Sequence, residues 1–77
     1  MTVEQPVLRF VICIDNTDYP AALERRKIYQ VIPDDRAAHH NLLRVIDESG
    51  EDYVYPKGYF IPVDFAPSIQ EALLHAA

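Results

Sequence analysis

The sequence contains no tryptophan, one cysteine and only two glycines among its 77 residues. A single cysteine cannot form an internal disulfide, and the chain lacks the paired Cys or Cys/His spacing of a zinc site. We therefore predict no metal, and packing alone must hold the core together. Cys13 lies between Ile12 and Ile14, where we expect its thiol to act as a small buried hydrophobe with a raised pKa.

Long apolar runs are also missing. No stretch approaches the roughly 18 apolar residues of a membrane-spanning helix. The run over residues 7–14 is interrupted by Arg9 and follows no basic region, so it does not have the pattern of a signal peptide. We expect a cytoplasmic protein without membrane contact.

Positive charge is scarce, because seven basic residues face twelve acidic ones and give a net charge of −5. This acidic balance repels nucleic-acid phosphates and anionic lipid surfaces at long range. Hydrophobic residues make up 49% of the chain, which is typical of a folded domain. We predict one small domain over residues 1–77, with little room for an enzyme cleft.

Catalytic patterns are not recognisable in the chain. The sequence has no nucleophile and base pair, no phosphate-binding loop and no cluster of metal ligands. We therefore predict that the protein is not an enzyme, has no catalytic residue and needs no cofactor.

Five segments have the alternation or the β-branched and aromatic content of strands. They are residues 7–14, 27–32, 42–46, 53–55 and 60–65. The acidic turn over residues 47–52 joins the third and fourth segments into the clearest hairpin. Pro62 predicts an edge position for the last strand, because proline cannot donate to a ladder on both sides.

Two segments have helical character. We predict one or two helical turns over residues 33–41, with Asp34 as N-cap and Asn41 in a left-handed conformation at the end. Residues 68–76 predict a short C-terminal helix, since Ser68 and Glu71 have the spacing of a capping box. A helix this short must dock on the barrel or on another chain to be stable.

The order of these elements predicts a mainly β fold, a small and partly open five-stranded barrel. The segments KIYQVIPD and LLRVIDESGEDYVYPKGYF resemble a group of small uncharacterised bacterial and phage proteins with SH3-like barrels, which share the hairpin pattern RVIDxxGEDYxYP. The resemblance covers about residues 8–65. It implies an SH3-like barrel, to which the residue pattern adds one short helical turn and a short C-terminal helix, and it carries no activity.

A second resemblance lies in the segment PKGYF, which begins at Pro56. It is similar to the Pro-x-x-Tyr turn that leads into the last strand of SH3 domains. In that family the matching residues line a groove for proline-rich peptides. The resemblance therefore implies that Pro56 and Tyr59 are binding residues.

Tyrosines form the most suggestive cluster in the sequence. Tyr53 and Tyr55 share one face of their strand, and the break at Pro56 can turn Tyr59 towards them. Tyrosine combines apolar area with a polar end, which suits a shallow binding surface. The candidate binding residues are therefore Tyr53, Tyr55, Pro56 and Tyr59. The alternative is that these tyrosines only pack across strands.

Charged clusters give weaker signals. The acids of residues 47–52 are expected to form a solvated turn or to dock on a basic partner, and they do not have the spacing of a calcium loop. His39 and His40 point about 100° apart on a helical turn, which indicates two surface histidines. Arg25, Arg26 and Lys27 form the one basic cluster.

Two functions remain from this pattern. The first is a non-catalytic module for protein–protein interaction, whose partner is an unknown protein or a second copy of the chain. The alternative is nucleic-acid binding through Arg25, Arg26 and Lys27, which the acidic net charge opposes.

Overall fold

A computed structural model of the chain describes residues 9–76 and is mainly β. The strands are β1 (Phe10–Cys13), β2 (Ile28–Gln30), β3 (Leu42–Ile46), β4 (Asp52–Pro56) and β5 (Phe60–Val63). The helices are α1 (Asp35–His39) and α2 (Pro67–Leu74), and a turn of 3₁₀ helix, Lys57–Tyr59, lies between β4 and β5. None of the helices in this part of the chain is long and apolar enough to cross a membrane.

All five predicted strands are present, but most have different ends. The first prediction included Val7 and Leu8, which lie outside the described residues. The second strand ends at Gln30. The Val31 amide still donates to the Arg9 carbonyl at 2.8 Å, and Val31 also forms an isolated bridge with Val45. β5 ends at Val63, two residues earlier than predicted.

β1 is the central strand of an antiparallel three-stranded sheet in the order β2-β1-β5. Its core-facing side chains, Val11 and Cys13, are completely buried, because the strand has a neighbour on each side and a second sheet beneath it. β5 is an edge strand of this sheet, which confirms the prediction from Pro62.

β3 and β4 form the predicted hairpin, with Leu43 opposite Tyr55 and Val45 opposite Tyr53. The turn closes through a hydrogen bond from the Asp47 amide to the Glu51 carbonyl. Gly50 has a φ of 83° in this turn, in the left-handed region that glycine enters at no steric cost. The hairpin is therefore set by its turn chemistry as well as by its alternating side chains.

The two sheets are joined where the chain passes from β2 to β3. Val31 pairs with Val45, and the Ile32 amide donates to the Arg44 carbonyl at 2.9 Å. Within residues 9–76 no ladder between β4 and β5 closes a barrel. The mainly β prediction is confirmed, and among the described residues the outer edges of β4 and β5 have no neighbouring strand.

One hydrophobic core lies between the sheets. It consists of Val11, Cys13, Leu23, Tyr29, Val31, Val45, Tyr55 and Phe60. Leu23 is the unexpected member, because it belongs to the β1–β2 loop, residues 14–27, and lies outside all the predicted strands and helices. A fully buried leucine anchors this loop against the core.

α1 begins as predicted. The Asp34 side chain accepts a hydrogen bond from the Ala37 amide at 3.0 Å, and Asn41 has a φ of 57° just after the helix. Asp34 also accepts from the Arg44 side chain at 2.8 Å. The cap therefore ties α1 to β3, and both local predictions are confirmed.

α2 begins one residue before its predicted start, and the predicted capping box of Ser68 and Glu71 is wrong. The N-cap is Ala66, whose side chain makes no capping hydrogen bond, and Pro67 is the first helical residue. Proline suits this position because its φ is already helical and its missing N–H needs no partner. Within α2, all of which is described, no residue is buried.

Replacing Leu23 with alanine tests whether the loop belongs to the core. We expect Leu23→Ala to lower the free energy of unfolding by roughly 2–5 kcal/mol, because it leaves a cavity among fully buried side chains. Ile14→Ala is the control, since Ile14 is 48% exposed in the same loop, and it should change stability by about 0.5 kcal/mol or less. Urea unfolding gives both values, and equal losses would contradict the assignment of Leu23 to the core.

Deleting residues 68–77 tests whether α2 supports the sheets. No α2 residue is buried, so we expect the melting temperature to fall by less than about 4 °C, equivalent to less than about 1 kcal/mol in a domain of this size. Thermal unfolding followed by circular dichroism measures the change. A larger fall would mean that the helix docks on its own sheets.

Candidate functional site

An open groove of about 430 Å³ lies between the β1–β2 loop and the β3–β4 hairpin. Ala21 and Ala22 form the loop wall. Residues 47–49 form the hairpin end, and Tyr53 and Tyr55 line the same groove from one face of β4. We call this feature the loop–hairpin groove. It contains two of the four predicted binding residues.

Tyr55 is buried, with 4% of its surface exposed, and so lies at the base of the groove. Its hydroxyl donates to Asp47 Oδ2 at 2.5 Å. Burial, together with this hydrogen bond to a carboxylate, raises the pKa of Tyr55 far above its usual range. Tyr55 is therefore a member of the core as well as part of the groove.

Asp47 is the unexpected residue of the hairpin turn. It is only 7% exposed, so the prediction of a solvated acidic turn is wrong at this position. Its Oδ1 accepts from the Ser49 amide at 2.8 Å and the Ser49 hydroxyl at 2.5 Å, while Oδ2 accepts from Tyr55. Burial alone raises the pKa of Asp47, but these hydrogen bonds outweigh it and hold the pKa below its usual range. The carboxylate is therefore ionised at neutral pH.

Glu48 ties the hairpin to the loop and to β2. Its carboxylate accepts from Tyr29 at 2.6 Å and pairs with Lys27 at 2.7 Å, and its amide donates to the Ala22 carbonyl at 2.9 Å. The hydrogen bonds from Lys27 and Tyr29 hold the pKa of Glu48 below its usual range. The Tyr29 hydroxyl also accepts a hydrogen bond from the Glu24 amide, so it both donates and accepts at this junction.

Tyr19 completes an aromatic chain that the sequence did not predict. Its ring meets the Tyr55 ring edge-on at 5.0 Å and lies 6.0 Å from the Tyr59 ring, measured between centroids. The Tyr59 hydroxyl donates to Asp18, and this bond raises the pKa of Tyr59 to about 12. The signal in the sequence that could have indicated Tyr19 is that it is the single aromatic residue in a loop otherwise rich in polar and turn-forming residues.

Tyr53 is half exposed, and its hydroxyl donates to Glu51 at 3.1 Å. Tyr19 is 42% exposed, and Tyr59 is half-buried. We define the tyrosine surface as Tyr19, Tyr53 and Tyr59, with Tyr55 beneath them. The structure thus brings Tyr53 and Tyr55 into one groove, and links Tyr59 to Tyr55 through Tyr19.

Pro56 has a different position from the tyrosines. It ends β4 opposite Leu42, is half-buried, and directly precedes the 3₁₀ turn that carries Tyr59. It does not line the loop–hairpin groove. Its contribution is to end the strand, so that the chain can turn before β5.

The basic cluster is divided by the fold. The Lys27 ammonium lies 2.7 Å from the Glu48 carboxylate and 3.7 Å from the Glu24 carboxylate. Arg25 and Arg26 are exposed and border a separate polar cavity of about 550 Å³. Arg26 also has a φ of 69°, because its amide turns back to donate to the Cys13 carbonyl.

The two histidines and the cysteine lie where the sequence predicts. His39 and His40 are exposed at the end of α1. Cys13 is completely buried, and burial raises the pKa of its thiol. Among residues 9–76 no group of three His, Cys, Asp or Glu side chains is placed to hold a metal ion.

Comparison of the chain with protein-family models, with curated proteins and with solved structures gives no match. The function must therefore be argued from the geometry. The groove presents two alanines and a half-exposed aromatic ring beside ionised carboxylates. This arrangement is suited to binding.

Replacing Tyr55 with phenylalanine tests the bond to Asp47. Asp47 has a lowered pKa in the folded state, so its contribution to stability is present above its unfolded pKa of about 3.9 and is lost as the pH falls through the folded value. We expect Tyr55→Phe to reduce the free energy of unfolding by roughly 1.5–3 kcal/mol at pH 7, since it removes a hydrogen bond to a charged group.

The difference between Tyr55→Phe and wild type should shrink as the pH falls below about 4, because Asp47 then becomes protonated in both proteins. Tyr53→Phe is the matched control, since its hydroxyl meets only the exposed Glu51, and it should follow the wild-type pH profile. Urea unfolding across this pH range gives the profiles. A difference that stays constant with pH would contradict the role assigned to Asp47.

Proposed function

We propose that this protein is a non-catalytic protein–protein interaction module that binds its partner through the tyrosine surface. The observation that carries the proposal is the exposure of two rings close to Tyr55. Tyr53, 50% exposed, lines the open groove, and Tyr19, 42% exposed, packs edge-on against the Tyr55 ring. Tyrosine rings supply large contact areas for the loss of only two side-chain torsions, and they are enriched at protein interfaces.

The base of the surface supports binding because it is rigid. Tyr55 is fixed in the core by Asp47 and packs against both Tyr19 and Phe60. Tyr59 is held by its bond to Asp18. A surface whose side chains are already ordered loses less conformational entropy when a partner binds.

The similarity to the Pro-x-x-Tyr turn of SH3 domains gives independent support. Pro56 directly precedes the 3₁₀ turn before β5 and Tyr59 ends it, and the Tyr59 ring lies beside that of Tyr19 in the long β1–β2 loop. The proposal includes an SH3-like arrangement, a partly open barrel in which the Val31 bridge to Val45 continues one sheet into the other. One core shared by both sheets supports this arrangement.

A bacterial, cytoplasmic setting completes the proposal. It rests on the resemblance of the hairpin to small bacterial and phage proteins, and on an unpaired cysteine, which is usual in reducing compartments.

Nucleic-acid binding is the second candidate, and the exposure of Arg25 and Arg26 favours it. It has less support because Lys27 is already paired with Glu48, and the chain carries a net charge of −5. Such binding would weaken steeply as the salt concentration rises.

Affinity capture from a bacterial lysate tests the main proposal. The baits are wild type, the double variant Tyr53→Ala/Tyr59→Ala, and the control Val54→Ala. Val54 is an exposed side chain on the opposite face of the same strand, 38% accessible, so its loss leaves the tyrosine surface intact. We expect a protein that wild type and the control retain and the double variant loses, with circular dichroism showing that all three are folded.

Equal capture by all three baits, or no capture by any, would reject the tyrosine surface as the binding site. Capture of nucleic acid, lost in an Arg25→Ala/Arg26→Ala variant and at about 0.5 M salt, would support the second candidate instead.

A further inference from the structure

The loop–hairpin groove combines apolar walls with negative charge at one end. Ala21 and Ala22 present methyl groups from the loop, and Tyr53 presents a half-exposed ring from the hairpin. From the turn between β3 and β4, Asp47 lines the groove, and the Glu51 carboxylate accepts a hydrogen bond from the Tyr53 hydroxyl at 3.1 Å. The groove therefore combines an apolar lining with carboxylates.

The acidic residues of the β3–β4 turn outnumber the cations that pair with them. The turn and the start of β4 carry four acids, Asp47, Glu48, Glu51 and Asp52. Lys27 pairs with Glu48, and Arg44 pairs with Asp52 at 3.0 Å. Among the described residues, Asp47 and Glu51 have no cationic partner.

The charge of Asp47 differs from that of an ordinary surface acid. It is nearly buried, and its carboxylate accepts hydrogen bonds only from neutral donors, those of Ser49 and Tyr55. Neutral donors stabilise the carboxylate but leave its net charge uncompensated. A charge that is poorly exposed to water is weakly screened, so it acts strongly on a cation in the adjacent groove.

We infer that the occupant of this groove is an extended segment of a partner protein that presents a lysine or arginine. The aliphatic stem of such a side chain fits along Ala21 and Ala22, while its charged end reaches the ring of Tyr53 and the carboxylates of Asp47 and Glu51. This inference rests on the proposed function and adds the chemistry of the partner.

Charge complementarity favours a basic segment over a second copy of the chain as the occupant of the groove. Each copy has a net charge of −5, so bringing one acidic groove against another acidic molecule is opposed by repulsion. A basic segment has the opposite charge and is also drawn towards the groove at long range.

A peptide of alternating lysine and alanine, blocked at both ends, is the probe. A matched peptide with glutamine in place of lysine controls for shape, and a blocked polyproline peptide represents the occupant expected from the SH3 resemblance. Titration of the full chain is followed by the NMR shifts of its backbone amides. We expect the lysine peptide to bind roughly tenfold tighter than the glutamine peptide at about 50 mM salt, with a smaller ratio at about 0.5 M.

The location of binding is tested in the same titration. The shifts should be largest at Ala21, Ala22, Ser49 and Tyr53. Glu51→Gln and Tyr53→Ala should each weaken binding of the lysine peptide by about threefold or more, since each removes one of the groups that meet the cation. Asp64→Asn removes one exposed carboxylate from a residue that neither lines the groove nor accepts a hydrogen bond from Tyr53, and it should leave the affinity unchanged.

Equal binding of the lysine and glutamine peptides, tighter binding of polyproline, or shifts away from the groove would each overturn the inference. Shifts at the groove that depend on protein concentration without peptide would also overturn it, because they would identify a second copy as the occupant. Failure here is distinguishable from failure of the proposed function, which is decided by capture that depends on Tyr53 and Tyr59.

Discussion

Two tyrosine hydroxyls that enter the core must each find a partner, and the rest of the structure depends on how they do so. Tyr55 donates to Asp47 and Tyr29 donates to Glu48, so consecutive acids of one turn satisfy both hydroxyls. A buried hydroxyl without a partner costs about 1–3 kcal/mol, a large share of the stability of a domain this small. The turn is therefore held against β2 and the β1–β2 loop, and the groove is the space left between them.

The same constraint explains why the groove is acidic. Replacing Asp47 with an apolar side chain would leave the Tyr55 hydroxyl without its acceptor, and the lowered pKa of Asp47 means that this acceptor carries a negative charge. Glu48 is compensated by Lys27, but Asp47 is held by neutral donors alone. Stability and the proposed recognition of a basic segment thus rest on one residue. An interaction module can obtain charge specificity in this way without a dedicated binding residue.

Most of the secondary structure was predictable, because it follows from local pattern. The alternation around Tyr29, the cap at Asp34 and the left-handed Asn41 are properties of neighbouring residues. The site was only partly predictable. An acid in a turn is usually solvated, and the burial of Asp47 depends on where the Tyr55 hydroxyl lies in three dimensions. Tyr19 belongs to a loop whose path is fixed by long-range contacts, which no local pattern encodes.

The position of that loop links the core to the tyrosine surface. Leu23 is completely buried, and its amide donates to the Tyr19 carbonyl at 3.0 Å, so the loop turns tightly between its anchor and its exposed ring. Tyr19 is thereby brought against Tyr55, whose other side belongs to the core. Packing and binding were alternatives for the tyrosine cluster as a whole, and under the proposed function they divide between residues. Tyr55 stabilises the fold and supports the surface, while Tyr53 remains free to meet a partner because its ring is half exposed and its hydroxyl bonds only to an exposed acid.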